Sequence, residues 1–199
     1  MTSVLWIAVC MFFSLNVTLI SAFDSSKCKL DLGLVVDTTK SIKWKNVPYM
    51  RRALKQLVAG FDVSEDGTHV SLETFNKHSK LHNTFSVESF HSVKAMKGLI
   101  HESIGKLVNL TRLDKALFLA DQEMFTEENG DRAGVMNVMV LFTDGKSHPN
   151  LTEDFMPAID SLRQKGVRIV VVAIGRFAAE ERYREVLYKI AGKNIVLCG

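Results

Sequence analysis

The sequence predicts an α/β fold: a doubly wound, mostly parallel sheet with helices on both faces and one short antiparallel edge strand. Three observations carry that prediction. Nearly unbroken apolar runs recur at 30–36, 135–143 and 167–174, the pattern of strands buried on both faces. Amphipathic helical segments alternate with these runs. Two of the runs stop abruptly at an aspartate, Asp37 and Asp144, at the strand end where open α/β sheets place their ligand sites.

Taken in order, the first strand spans 30–36. Asn46 to Phe61 carries Val47, Met50, Leu54, Leu57, Val58 and Phe61 at helical spacing, with Asn46 as N-cap and Pro48 in the first turn. Asp66-Gly67 turns the chain into a strand over 68–75, where Val70, Leu72 and Thr74 alternate with His69, Ser71 and Glu73. Lys80 to Ser86 pairs with it as an edge hairpin. Ser86 to Leu107 reads as helix, with Val87, Phe90, Val93, Met96 and Ile100 on one stripe. A loop at 108–112 precedes a second helix, Leu113 to Phe125, closed by Glu127-Glu128-Asn129-Gly130. After the 135–143 strand comes a helix over 152–165 capped by Gly166. The 167–174 strand, a charged helix over 178–191 and a short strand over 194–198 complete the chain. No repeat, linker or low-complexity tract divides it, so residues 29–199 are expected to form a single domain.

The 199 residues are 47% apolar and 24% charged, a composition that excludes a disordered chain. The net charge of +3 comes without a dense Lys/Arg run, and no nucleic-acid partner is implied. Met1 to Ala22 contains no charged side chain and Val4 to Phe13 is almost wholly apolar. Residues 1–22 therefore read as a secretory signal with small residues, Ser21-Ala22, for cleavage. The alternative is an uncleaved anchor, but Ser14, Asn16 and Thr18 interrupt the run short of a bilayer span. After cleavage no membrane span is expected. Cys10 leaves with the signal, so the mature chain keeps Cys28 and Cys198, one near each end, in a compartment that permits disulfides.

The first strand ends in Asp37, followed at two-residue steps by the hydroxyls of Thr39 and Ser41. In a parallel sheet Asp144 lies at the same edge, and the loop between helices contributes Thr111. Carboxylates and hydroxyls together form a hard oxygen set suited to Mg²⁺ or Ca²⁺. Read singly, each of these residues is an ordinary helix cap.

Together they resemble the von Willebrand factor A-type domain family. Its metal-ion-dependent adhesion site combines Asp-x-Ser-x-Ser, a distant Thr, and a distant Asp within Thr-Asp-Gly. Asp37, Thr39 and Ser41 match the first element, with Thr39 in place of the first Ser. Thr111-Arg-Leu-Asp-Lys-Ala-Leu117 stands where the family has Thr-x-Thr-Gly-x-Ala-Leu, with Asp114 at the usual Gly. Asp144 matches the third, within Phe142-Thr-Asp-Gly-Lys-Ser147. The resemblance covers about Lys29 to Val196. It implies that Asp37, Thr39, Ser41, Thr111 and Asp144 hold a divalent cation, Mg²⁺ first and Mn²⁺ or Ca²⁺ otherwise, directly or through water. An Asp or Glu of an extracellular partner protein would fill the open position. It further implies a secreted matrix or adhesion protein akin to matrilins and type VI collagen, and not an enzyme.

Two departures bear on assembly. Family members often carry a helix and a closing Cys after the last strand, whereas this sequence ends at Gly199. Cys28 is expected at the bottom of a central strand and Cys198 near the top of an edge strand. Three strand spacings of about 4.8 Å separate them, against the roughly 7 Å a disulfide tolerates. A disulfide-linked oligomer is the alternative to an intrachain bridge. Asn109-Leu-Thr111 and Asn150-Leu-Thr152 are N-glycosylation sequons; occupancy is expected at Asn150 and stays open at Asn109, two residues from a proposed ligand.

Other signals fail on chemistry. Gly145-Lys146-Ser147 lacks the upstream Gly of a phosphate loop, since Val140 stands there. His78, His82, His91 and His101 lack a matching carboxylate or Cys frame for zinc. A metal-assisted hydrolase would need a general base, and only His148 lies close to Asp144 in sequence. The remaining alternative is a structural matrix component, of a mineralised matrix for instance, assembling through its surface or cysteines with a weak or empty ion site.

Overall fold

A computed structural model describes residues 29–86, 92–148, 153–192 and 194–198. The strands are β1 (Leu30–Asp37), β2 (His69–Phe75), β3 (Ser79–Asn83), β4 (Met136–Thr143), β5 (Arg168–Ile174) and β6 (Ile195–Cys198). The α-helices are α1 (Val47–Val58), α2 (Val93–Ser103), α3 (Leu113–Leu119), α4 (Met156–Gln164) and α5 (Glu181–Ala191). One six-stranded sheet has the order β3-β2-β1-β4-β5-β6. Every pairing is parallel except β2 with β3. The predicted class and its antiparallel edge strand are therefore found.

Alternation along β1 distributes two cores. Leu30, Leu32, Leu34 and Val36 pack with Met50 and Leu54 of α1 and Met96 and Ile100 of α2. Val35 faces the other way, into a core with Leu117 of α3, Ile159 of α4 and Leu187 of α5. All eight residues of β1 are buried, which is why its sequence shows a run and no period of two.

Several helices differ from their predicted bounds. Ser92 caps α2 by accepting from the Ala95 amide at 3.1 Å, so among the described residues the helix occupies only 93–103; Val87 and Phe90 lie outside those residues. Asn46 stands at the start of α1, but its Nδ2 donates back to the Ile42 carbonyl at 2.7 Å, and it makes no side-chain cap. The Leu113–Phe125 helix widens to a π turn over Ala120–Met124, closed by the Phe125 amide on the Ala120 carbonyl at 3.0 Å.

That π turn explains a glycine in the middle of a central strand. A Cβ on Gly33 would stand 2.5 Å from Met124 Sδ and 2.7 Å from Phe125 Cζ. The widened turn presses both side chains onto the sheet, and only a bare backbone leaves room. Gly33→Val should cost about 2 kcal/mol or more through overpacking, read as a lower midpoint in chemical denaturation; unchanged stability would mean that the π turn moves aside freely.

β2 is buried on both faces although its sequence alternates polar with apolar. His69 Nδ1 lies 2.6 Å from the Phe85 carbonyl oxygen and Nε2 2.9 Å from that of Glu65, and the Ser71 hydroxyl donates to the Asn83 carbonyl. Glu73 is the exception: it is fully buried and neither carboxyl oxygen has a hydrogen-bond partner. Burial pushes its pKa well above the ordinary 4.5, against a smaller lowering by the Ser79 hydroxyl and with a small rise from Glu123. A carboxyl that binds its proton more tightly when folded stabilises the fold below its unfolded pKa, and that contribution is lost as pH rises toward the folded value. Relative to Glu73→Gln, the wild type should therefore lose about 1 kcal/mol per pH unit from about pH 4.5 upward. Parallel stability–pH curves for the two proteins would contradict this.

Candidate metal-ion site

Parallel pairing brings the carboxyl ends of β1 and β4 side by side, with Val36 opposite Phe142. Asp37 closes β1 and has no exposed surface. Its Oδ1 accepts from the Thr39 amide at 2.9 Å and the Thr39 hydroxyl at 2.6 Å. Its Oδ2 accepts from the Thr143 hydroxyl at 2.9 Å. Thr39 Oγ1 lies 2.8 Å from Ser41 Oγ, so the first three predicted residues form one linked group.

Asp144 follows β4 and is equally buried. Its Oδ1 accepts from the Lys146 amide at 2.9 Å, in a turn that Gly145 makes at φ +77°. Its Oδ2 is buried without a hydrogen-bond partner. Burial, and then the charge of Asp144, push Asp37 up to about 7. Burial also raises Asp144, against the Lys146 amide.

The third loop is tied to both others. An isolated bridge joins Thr39 to Val108, with the Lys40 amide on the Val108 carbonyl and the Val108 amide on the Thr38 carbonyl, each at 3.0 Å. The Thr111 carbonyl accepts from the His148 amide at 3.0 Å and the Ser147 hydroxyl at 3.2 Å. Thr111 is thereby held where it lines one depression of about 440 Å³ with Thr39 and Ser41. Two non-glycine residues with positive φ, Lys43 at 65° and Leu110 at 71°, also line it. Backbone strain of this kind persists where surrounding structure enforces it.

Two buried carboxylates whose proton affinities are raised, Asp37 in part by the charge of Asp144, and one orphaned oxygen make an environment that a divalent cation would relieve. The neighbouring donors are hydroxyl and carboxylate oxygens, the set that hard cations take. The residues present fit such an ion.

Asp114, at the position where the family motif has Gly, does not add a third free charge. Arg112 forks onto it, with Nε 2.9 Å from Oδ1 and Nη2 2.6 Å from Oδ2, and the Glu153 amide donates to Oδ2 at 3.1 Å. Burial is the largest influence and works upward on this carboxyl, but the Arg112 hydrogen bonds and charge together with the Glu153 and Lys115 amides outweigh it, and its pKa falls below the ordinary value. Sequence reasoning missed that pairing, and it missed Thr143, whose position just before Asp144 on a strand end was the available signal.

Asn109 is exposed on the rim of the depression, while Asn150 and Thr152 lie outside the described residues. So do residues 1–22 and Cys28. The backbone of β6 places Cys198 opposite Ile174, three strands from β1. Among the described residues no group of three or more His, Cys, Asp or Glu side chains gathers as a metal site, the candidate site contributing two carboxylates with hydroxyls, and no helix is long and apolar enough to cross a membrane.

Known proteins resemble this chain in sequence and in fold. The chain is 28% identical to chicken (Gallus gallus) matrilin-1 over 157 residues, 79% of this chain and 30% of that protein. Guinea-pig (Cavia porcellus) cochlin is 26% identical over 154 residues, 77% of this chain and 27% of that protein. The chain thus spans less than a third of the length of these curated relatives. The fold superposes on proximal thread matrix protein 1 of the mussel byssus with a TM-score of 0.76 at 19% identity, covering 88% of this chain and 44% of that one. One structure of that mussel protein has a zinc-occupied MIDAS motif. The manganese-loaded TRAP protein of Plasmodium vivax gives a TM-score of 0.71 at 19% identity, covering 88% of this chain and 70% of that one. The sequence model of the von Willebrand factor type A domain matches residues 31–196, and with the sheet order and the three interlocked loops in place, the chain belongs to that family.

Proposed function

We propose that this chain is a secreted, extracellular-matrix protein-binding module that engages a partner through a divalent cation. Asp37, Thr39, Ser41, Thr111 and Asp144 would hold the ion, directly or through water. The ion would supply an electrophilic centre for an Asp or Glu carboxylate of a partner protein. The chain's own work is to gather charge without neutralising it. Thr143 and the Thr39 amide orient Asp37, the Lys146 amide orients Asp144, and the Asp114 charge is absorbed by Arg112. The observation that carries this reading is the orphaned Asp144 oxygen beside a second buried carboxylate whose proton affinity it raises.

The extracellular setting rests on the matrilin and cochlin relatives and on the uncharged 22-residue amino terminus. Mg²⁺ is the expected ion, as the oxygen-only donor set favours it, with Mn²⁺ and Ca²⁺ as competitors. Calorimetric titration of Mg²⁺ and Mn²⁺ into the folded chain tests the proposal. One saturable site is expected; a folded chain that takes up neither ion would overturn it and leave a structural matrix scaffold.

A further inference from the structure

We propose that the outer surface of α1 and α2 is a docking face for a sulfated polysaccharide, acting independently of the ion. The modest net charge of +3 conceals a strong segregation. Residues 38–61 contain six basic side chains, Lys40, Lys43, Lys45, Arg51, Arg52 and Lys55, and no acidic one. The fold lays α2 against α1 on the same side of the sheet, where the Arg51 guanidinium donates to the His101 carbonyl at 2.9 Å. That contact adds Lys94 and Lys97 to the surface, against a single acidic residue of α2, Glu102. On the opposite side of the sheet, 120–131 carries Asp121, Glu123, Glu127, Glu128 and Asp131. The fold thus gathers basic side chains of α1, α2 and the turns before α1 onto one outer surface.

None of the basic residues on α1, α2 or the preceding turns forms an ion pair with a carboxylate among the described residues. Unpaired cations spread along a rigid helix suit a polyanion with regularly repeated charges. Arg51, Arg52 and Lys55 lie within α1, and Lys45 in the turn before it and Lys94 and Lys97 of α2 extend the surface. An acidic peptide would need pockets for side-chain anchors; of these basic residues only Lys40 and Lys43 line the depression described above, and the cations of α1 and α2 do not. Trp44 and Tyr49 stand 57% and 72% exposed among the lysines, offering flat apolar surfaces with a polar tip on which sugar rings can lie. The choice of a polysaccharide over nucleic acid rests on the proposed extracellular setting; it does not depend on the ion site.

The test measures binding of the full chain to immobilised heparin and to the same polysaccharide stripped of sulfate, in Mg²⁺ and in EDTA, across a salt series. Heparin should bind in both buffers, weaken steeply with salt, and far outcompete the desulfated chain. Lys45→Glu/Arg52→Glu should weaken binding about tenfold or more and lower the log–log salt slope by about 2, one counterion for each cation removed. Arg184→Glu/Lys189→Glu on α5 has the same charge change and should leave binding close to wild type. Thermal unfolding checks that each variant folds, and Lys45→Gln/Arg52→Gln replaces the reversal if it does not. Binding lost only in EDTA, equal loss in both double variants, or no preference for sulfate would overturn the proposal. So would tighter binding of single-stranded DNA or a polyglutamate peptide at matched charge. A metal titration that fails while heparin still binds would sink the ion site alone.

Discussion

Asp144→Ala abolishes saturable uptake of Mg²⁺ and Mn²⁺ while leaving the metal-free chain at least as stable as the wild type. Both halves follow from the same geometry. The side chain contributes one of two buried carboxylates and the oxygen that lacks a protein donor, so its loss removes charge that the neutral hydroxyls of Thr39, Ser41 and Thr111 cannot replace. Without the ion, however, Asp144 raises the proton affinity of Asp37. Deleting it relieves that repulsion, while the Lys146 amide and the Ser41 hydroxyl lose an acceptor. Ion binding to the native state stabilises the wild type by about 3 kcal/mol at a hundredfold excess over Kd. Thermal unfolding should therefore show an ion-dependent rise that Asp144→Ala lacks, alongside the flat calorimetric trace. Thr111→Ala, which removes a neutral donor, should weaken binding by about tenfold and keep it measurable. An Asp144→Ala protein that still binds Mn²⁺ stoichiometrically would show that another group holds the ion.

The sequence made the sheet legible because buried parallel strands leave a signature no other element copies: 30–36, 135–143 and 167–174 are apolar without a period. The site was legible for a related reason. An Asp at the end of such a run has few roles, and the hydroxyl spacing after Asp37 added a second constraint. What stayed hidden depends on contacts between distant segments. The alternation in β2 reads as a half-solvated strand, and only the packing of α3 over it makes Glu73 a buried carboxyl. Arg112 and Asp114 are two positions apart, yet their pairing depends on how α3 begins and on the Glu153 amide. The π turn after α3 leaves no periodic signal, because Ala120 and Met124 fit a regular helix equally well. Charge segregation escaped notice for the same reason: α1 and α2 are separated in sequence by two strands, and their shared basic side exists only once the sheet has wound.

At the opposite end of β1 from the ion site, Arg132→Ala should destabilise the chain by about 3 kcal/mol, with no change in ion affinity. Asp31 has no exposed surface, and its charge is met by the Arg132 guanidinium at 2.7 Å and by the residue 132 amide at 2.8 Å. Arg132 Nη2 also donates to the Leu30 carbonyl at 3.0 Å, so one side chain closes both the charge and the backbone at the start of the central strand. Removing the cation leaves a buried carboxylate with one amide for company, the situation in which a broken ion pair costs several kcal/mol. The loss should stay near the lower end because Arg132 is partly exposed, and water can reach part of the space it vacates. Asp31→Asn/Arg132→Ala distinguishes the cause. If the stranded charge dominates, the double variant regains most of the lost stability; if the Leu30 contact and packing dominate, it is no more stable than Arg132→Ala. The metal titration serves as the control in both proteins, since a change there would mean that disturbance at the foot of β1 travels along the strand to Asp37.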